Sequence, residues 1–589
     1  MRRPNAILAI AIVAVLSFDA PPFAAATQTH LDPTTLTKYL DPLPAPAKLS
    51  GTVAQTITIS ELTQQVLPSN FNAGPYGGKT LVWGYNNSYP GPTVEARRGT
   101  AFPVTYVNNL NNPALLANLP IDQTLHWADP LGCNMDPSCD MQRYTGPVPV
   151  VTHLHGGEVP SAFDGDPESW FTPGLGIKGP AFVTSSYTYP NTQEATTLWY
   201  HDHALGITRL NVYAGLAGFY LLRDPLKEPA NLPGGSYERE IVIQDRLFDT
   251  NGQLLYPANN DSYSSHPFWV SMFMGDVSVV NGKAWPYLNV EPRRYRFRLL
   301  NGSNSRIYTL QLQTTSGLAG PVFWQIGTDG GLLNTPVQVS QITLAPAERA
   351  DVIVDFTGKS GTSYILKNSN SDGGHHSSSY GSGSLSEIMK INVSLALNGT
   401  DSTLNPAAAP NLRPNNPIVQ LSPTVTSSTP VRHMTLEKDR NGGGFLLNGK
   451  LWTDVITEKP RVGATEVWQL DNRTGDTHPI HVHLIQFQVL NSGGSYSYGG
   501  GGSDPSALGW KDTIRVGGWN SVSVVIRWAP QNVSAGGVQP GQNLFSFDPA
   551  ATKGTTDTFG FPGGAGYVWH CHILEHEDNE MMRPYIVQR

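Results

Sequence analysis

Cysteine is scarce: three occur in 589 residues, too few for a disulfide framework to be the main source of stability. There is no block of Lys and Arg, and acidic side chains outnumber basic ones 46 to 38, for a formal charge of -8. Gripping a nucleic-acid backbone needs the opposite balance, which argues against that class of partner. Only nine methionines are present, with no Met-rich segment, so a Cu(I)-recruiting thioether surface is not expected. Beyond the N-terminus no long apolar run appears, and no stable membrane insertion is expected of the remaining chain. Convincing helices are few. Residues 34–39, residues 61–66 and the tail after Cys571 are the short candidates.

What the chain does have is Gly (59) and Pro (47), a composition of many short strands and turns. Residues 55–60, 101–107, 241–244, 294–300, 350–356 and 522–528 read as strands, so the fold class is all-β, in sandwiches or barrels. The length calls for about two to four domains. Pro- and Gly-rich junctions at 224–238 and 405–418 divide it into units at 30–225, 235–400 and 415–589. Two stretches read as surface loops, 371–384 and 491–505. At the start, Arg2 and Arg3 precede an apolar run over 6–18 and the small residues Ala24, Ala25 and Ala26. That order is a secretory signal peptide, placed at 1–26, and it implies a secreted or periplasmic protein. In an oxidising compartment Cys133 and Cys139 could form a local disulfide, which leaves Cys571 over.

The neighbours of Cys571 account for it. Of sixteen histidines, ten fall in four short clusters: His153 and His155; His201 and His203; His478, His481 and His483; His570, His572 and His576. Along an extended strand, residues two apart share a face. His153/His155, His201/His203, His481/His483 and His570/His572 therefore each present two imidazoles to one side. Eight converging imidazoles suit copper, while zinc and iron also fit on ligand type alone. Cys571 lies between His570 and His572 and points to the opposite face. His478 and His576 can join it, and Met581 could occupy a weak axial place, which makes the two-His, one-Cys, one-Met set of a blue-copper site. A single H-x-H pair is more often accidental than a ligand set, but four pairs, one of them H-C-H, are not. Of the remaining histidines, only His126 lies in a segment that could approach the first clusters.

The segments THLHGG (152–157), WYHDH (199–203), HPIHVHL (478–484) and HCHILEHEDNEM (570–581) resemble the four signatures of multicopper oxidases. GPTVEARRG (91–99), GWKDT (509–513) and EHEDNEMMRP (575–584) are similar to the bacterial spore-coat laccase and bilirubin oxidase branch. The resemblance implies three cupredoxin-like Greek-key domains and four copper ions per chain. It places a type 1 copper on His478, Cys571 and His576 with Met581 axial, and a type 2 copper on His153 and His481. A type 3 pair would take His155, His201, His203, His483, His570 and His572. It also implies that Asp164 and Glu577 assist proton delivery. The partners would be dioxygen and a small-molecule reducing substrate: phenols, aromatic amines or bilirubin-like pigments. The alternatives are oxidation of Fe, Mn or Cu ions, or a non-catalytic extracellular copper-holding role. Oligomeric state is not encoded in any motif.

Overall fold

The computed structural model describes residues 28–133, 142–258, 266–370, 385–409, 411–439, 443–490, 507–534 and 536–589. The expected leader at 1–26, the loops at 371–384 and 491–505, and Cys139 lie outside these residues. Cys133 is disulfide-bonded and Cys571 is a free, buried thiol.

Strands form where side chains alternate between core and solvent. In Phe102–Asn108, Phe102, Val104, Tyr106 and Asn108 are buried, while Pro103 and Val107 face outward. Among the described residues six sheets result, in pairs within 48–223, 238–393 and 431–585. One four-strand arrangement recurs in each pair. Gln55–Gln64 lies between Thr80–Tyr85, antiparallel, and Phe102–Asn108, parallel, and the latter pairs antiparallel with Ser186–Tyr189. Glu238–Arg246 lies likewise between Val277–Val280 and Arg294–Asn301, followed by Arg349–Asp355. Val431–Lys438 lies between Phe445–Leu447 and Thr465–Asn472, followed by Ser521–Arg527. The fold is a repeated set of cupredoxin-like β-sandwiches. The first and middle pairs share one continuous apolar core, and the last has its own, which includes Cys571 and Met581.

The helix expectations fare unevenly. Residues 61–64 are strand, because Glu61 to Gln64 complete a ladder with Trp83 to Thr80 and the Glu61 carboxylate accepts the N–H groups of Ala114 and Leu115. Residues 34–39 contribute only a 3-10 turn, Pro33–Thr35, capped by Asp32. The backbone then straightens to bond Trp285 and Tyr287 of the middle sheets. The tail after Cys571 does form a helix, α2 (Leu574–Asp578). An unforeseen helix, α1 (Thr208–Ala214), has no side-chain cap of its own. The carboxylate of Asp578 accepts the N–H groups of Thr208 (3.0 Å) and Arg209 (2.9 Å), a cap supplied from the far end of the sequence.

Buried charges join the middle sheets to the last. Lys511 Nζ lies 2.8 Å from Asp329 and 3.0 Å from Glu348, all fully buried. Burial opposes the ammonium charge, but the two carboxylates outweigh it and raise its pKa. Removing one member strands the others. Lys511→Met is expected to cost about 3–5 kcal/mol, seen as a lower midpoint of thermal unfolding; an unchanged midpoint would contradict the account.

Candidate metal centres

Strand pairing sets up the histidines. In Thr152–His155 and Thr196–Asp202, His153 lies directly opposite His201. In His478–Val482 and Tyr567–Cys571, His481 lies opposite His570 and Ile480 opposite Cys571. The H-C-H tract is extended through His570 and Cys571, where the strand ends, and the chain bends at His572. Two tight turns let the segments close. Gly156 follows His155 at φ 82°, and Gly165 follows Asp164 at φ 81°, where a Cβ would come within 2.5 Å of the Thr152 carbonyl oxygen.

On one face of the terminal strand the ligand atoms of His478, Cys571 and His576 form a triangle. Cys571 Sγ is 3.5 Å from His478 Nδ1 and 3.7 Å from His576 Nδ1, and those nitrogens are 3.2 Å apart. Thr474 Oγ1 accepts from His478 Nε2 at 2.7 Å, which turns Nδ1 toward the sulfur. The Phe445 ring packs at a tilt of 34° against His576, with centroids 3.9 Å apart, and covers the set on that side. Met581 is buried beside it; its carbonyl accepts the Cys571 N–H and its own N–H donates to the His576 carbonyl, both at 3.0 Å. Burial pushes the Cys571 thiol well above its usual range, so a thiolate here needs a cation for company.

On the other face all eight remaining imidazoles converge, each at most 1 % exposed. His153 packs on His483 with ring centroids 3.8 Å apart, and His155 on His481 at 3.6 Å. The ligand atoms of His153, His155 and His201, of His153, His481 and His483, and of His203, His483 and His570 form close groups. Burial, reinforced by neighbouring rings, pushes these histidines below the usual range, His203 to about 4 and His481 to about 3. They are therefore neutral at pH 7, and each has a lone pair to place. His153, His201 and His481 give their Nδ1 protons to the carbonyls of Asp164, Asp202 and Asp512. Their Nε2 atoms are buried without a partner. His483 donates Nδ1–H to Asp164 Oδ2 (2.7 Å) and His570 to the Cys571 carbonyl (3.1 Å), yet their Nε2 atoms face each other at 3.2 Å. Two bare lone pairs at that distance repel unless a cation lies among them. The donor set fits copper, nitrogen-rich inside and sulfur-bearing outside.

Both expected carboxylates touch the cluster. Asp164 binds His483 as described, and its carboxyl is raised well above the usual range by burial. Glu577 Oε2 lies 3.1 Å from His570 Nδ1 and Oε1 lies 3.6 Å from His203 Nε2; burial raises its pKa to about 7. Every sequence-predicted residue thus lies at one centre or the other. His126 does not; it faces Glu580. Sequence reasoning gave Asp512 and Arg349 no role. Asp512 Oδ1 is 3.1 Å from His155 Nε2, a contact across 357 residues of chain. The only signal was that Asp512 falls in the GWKDT segment.

Buried imidazoles in this number, joined through one strand to a Cys/His set on repeated β-sandwich frames, define a copper-dependent oxidoreductase. Family models described as multicopper oxidase match residues 69–147 and 145–227, and residues 422–535 and 555–589. The laccase of Bacillus subtilis (strain 168) is 38% identical over 578 residues, covering 93% of this chain and 98% of that protein. The laccase of Haloferax volcanii is 34% identical over 94% of this chain and 86% of its own. Among solved structures, the McoA multicopper oxidase of Aquifex aeolicus is 27% identical, covers 94% of this chain and all of its own, and superposes with a TM-score of 0.66. The chain belongs to the multicopper oxidase family, and within it is laccase-like.

Because the unpaired lone pairs exist only in the folded chain, metal binding is coupled to stability. Chelated protein is expected to unfold at lower temperature than copper-loaded protein, and a hundredfold excess of metal over its Kd should restore about 2.7 kcal/mol. Equal melting temperatures for the two forms would refute the coupling.

Proposed function

We propose that the chain couples one-electron oxidation of a small organic reductant, a phenol, aromatic amine or bilirubin-like pigment, to four-electron reduction of dioxygen to water. In this reading His478, Cys571, His576 and Met581 would hold the type 1 copper. His155, His201, His203, His483, His570 and His572 would hold the type 3 pair, and His153 with His481 the type 2 ion. Copper bound at these two sets would supply the redox chemistry, one-electron oxidation at the cysteine-containing set and reduction of dioxygen at the histidine cluster.

The chain's own residues do the rest. The carrying observation is that Cys571 is covalently bonded to both His570 and His572, so the two donor sets share a backbone. Thr474 and Phe445 hold the outer ligands and exclude water there. Asp164 and Glu577, buried against His483 and His570, hold protons beside the cluster, where oxygen reduction consumes them. An organic donor is favoured by the sparse methionines and by relatives bearing the name laccase. The N-terminal segment and the bonded Cys133 support export.

The test is metal analysis with visible and electron spin resonance spectra, then oxygen uptake with phenols, bilirubin, Fe(II), Mn(II) and Cu(I), compared by kcat/KM. Four coppers per chain, a blue band and preference for an organic donor are expected. Preference for a metal ion overturns the substrate assignment, and copper binding without oxygen uptake overturns the enzyme reading. Cys571→Ser should abolish the blue band and donor oxidation while copper stays at the histidine cluster; a persisting band would refute the role of Cys571. Glu577→Gln should keep the band and lower turnover by about 10²–10⁴-fold; wild-type turnover would remove Glu577 from proton delivery.

A further inference from the structure

Asp164 lies against His153 and His483, and Glu577 against His203 and His570, so two sides of the histidine cluster have a carboxyl beside them. The side made by His155 and His481 meets Asp512 instead. Burial opposes the charge of Asp512, but the Arg349 guanidinium outweighs it and holds that carboxyl below the usual range. A carboxylate locked as an anion has no proton to give, so this side needs another source. Glu158 lies behind it, three residues past His155 in the sequence and 2 % exposed.

We infer that Glu158 is a third proton-supplying group, serving the side of the cluster formed by His155 and His481. This rests on the proposed oxygen-reducing function, which it deepens. The carboxyl O–H bond of Glu158 breaks, its proton passes inward through bound water, and the carboxylate regains a proton from solvent; no electron moves at Glu158.

Buried amides link Glu158 to that side. A Cβ on Gly156 would come 2.5 Å from Asp512 Oδ2, so the Gly156 backbone packs on Asp512. The Gly156 carbonyl accepts Gln193 Nε2 and Gln486 Nε2, each at 2.8 Å. Gln193 Oε1 accepts the Glu158 N–H at 2.6 Å, and Glu158 Oε1 accepts the Gln531 N–H at 3.1 Å. Around this network Glu158 Oε2, Gln486 Oε1 and Gln531 Oε1 are buried without a hydrogen-bond partner. Amide oxygens only accept, so such a group needs hydrogen from a protonated carboxyl or from water. A carboxyl serving packing alone would spend its hydroxyl on a fixed acceptor, whereas Oε2 of Glu158 is unpaired. The outward side is charged. Arg98, Glu194 and Arg527 face Glu158, and Arg98 and Glu194 line a small surface pocket with Asp224 and Arg413. Burial raises the Glu158 carboxyl to about 7, opposed by the Gln531 N–H, helped by Glu194, and opposed again by Arg98 and Arg527. Such a carboxyl both holds and releases a proton near neutral pH.

Copper-loaded wild type, Glu158→Gln and Glu158→Met would be compared by copper content, visible absorption, oxygen uptake in ordinary and heavy water, and thermal midpoint against pH. Both variants are expected to keep full copper, the blue band and the KM for a phenolic donor. Their kcat should fall about 10-fold, less than the 10²–10⁴-fold usual when a sole proton donor is lost, because Asp164 and Glu577 still serve the other sides. The solvent isotope effect on kcat should rise, which a purely structural role would not produce. The folded carboxyl keeps its proton up to about 7, whereas an unfolded one loses it near about 4.3. Wild-type stability relative to Glu158→Gln should therefore fall as pH rises across that window and stay level outside it. Wild-type kcat and isotope effect in either folded variant overturn the inference. So does a midpoint difference between wild type and Glu158→Gln that does not change with pH. A wild type with neither blue band nor oxygen uptake overturns the copper reading, and this inference with it.

Discussion

Eight neutral imidazoles buried in one place, with lone pairs turned toward one another and protons turned away, are a configuration that water cannot relieve and hydrogen bonding cannot satisfy. Only cations can. Much of the surrounding architecture serves to hold that configuration: backbone carbonyls of Asp164, Asp202 and Asp512 take the outward protons, glycines at 156 and 165 let the chain approach, and strand register sets His153 against His201 and His481 against His570. The cost of this crowding in the absence of metal is what makes the site selective for a bound one.

The outer centre follows a different logic. A thiol raised by burial and two imidazoles meet in a triangle beneath Phe445, apolar on most sides. There the ligands are few and soft and the environment dry, whereas the inner cluster is nitrogen-rich and flanked by carboxylates. One short tract, His570 to His572, serves both, with sulfur and imidazole sent to opposite faces at the end of the strand.

Strand parity is why so much was legible in the sequence. A two-residue period needs no tertiary information, and the four H-x-H pairs, the strand class and the opposed cysteine followed from it. What was not legible depended on distant partners. Residues 61–64 have helix-tolerant chemistry but meet a ladder formed with residues 80–83. Helix α1 is capped by Asp578, which no local pattern announces. Arg349 is one arginine among many until the fold brings it to Asp512.

The cross-unit charges carry a consequence for how such a protein can change over time. Lys511 answers to Asp329 and Glu348, Arg349 to Asp512, and Arg209 to Asp578, so each third of the chain holds ionic counterparts owned by another. A recombinant in which one third is replaced by that of a cousin would inherit half of each pairing and bury the orphaned half. Shuffling of these modules is therefore constrained to swaps that carry both sides of a seam together, and the repeat that once allowed duplication has become a unit of joint inheritance.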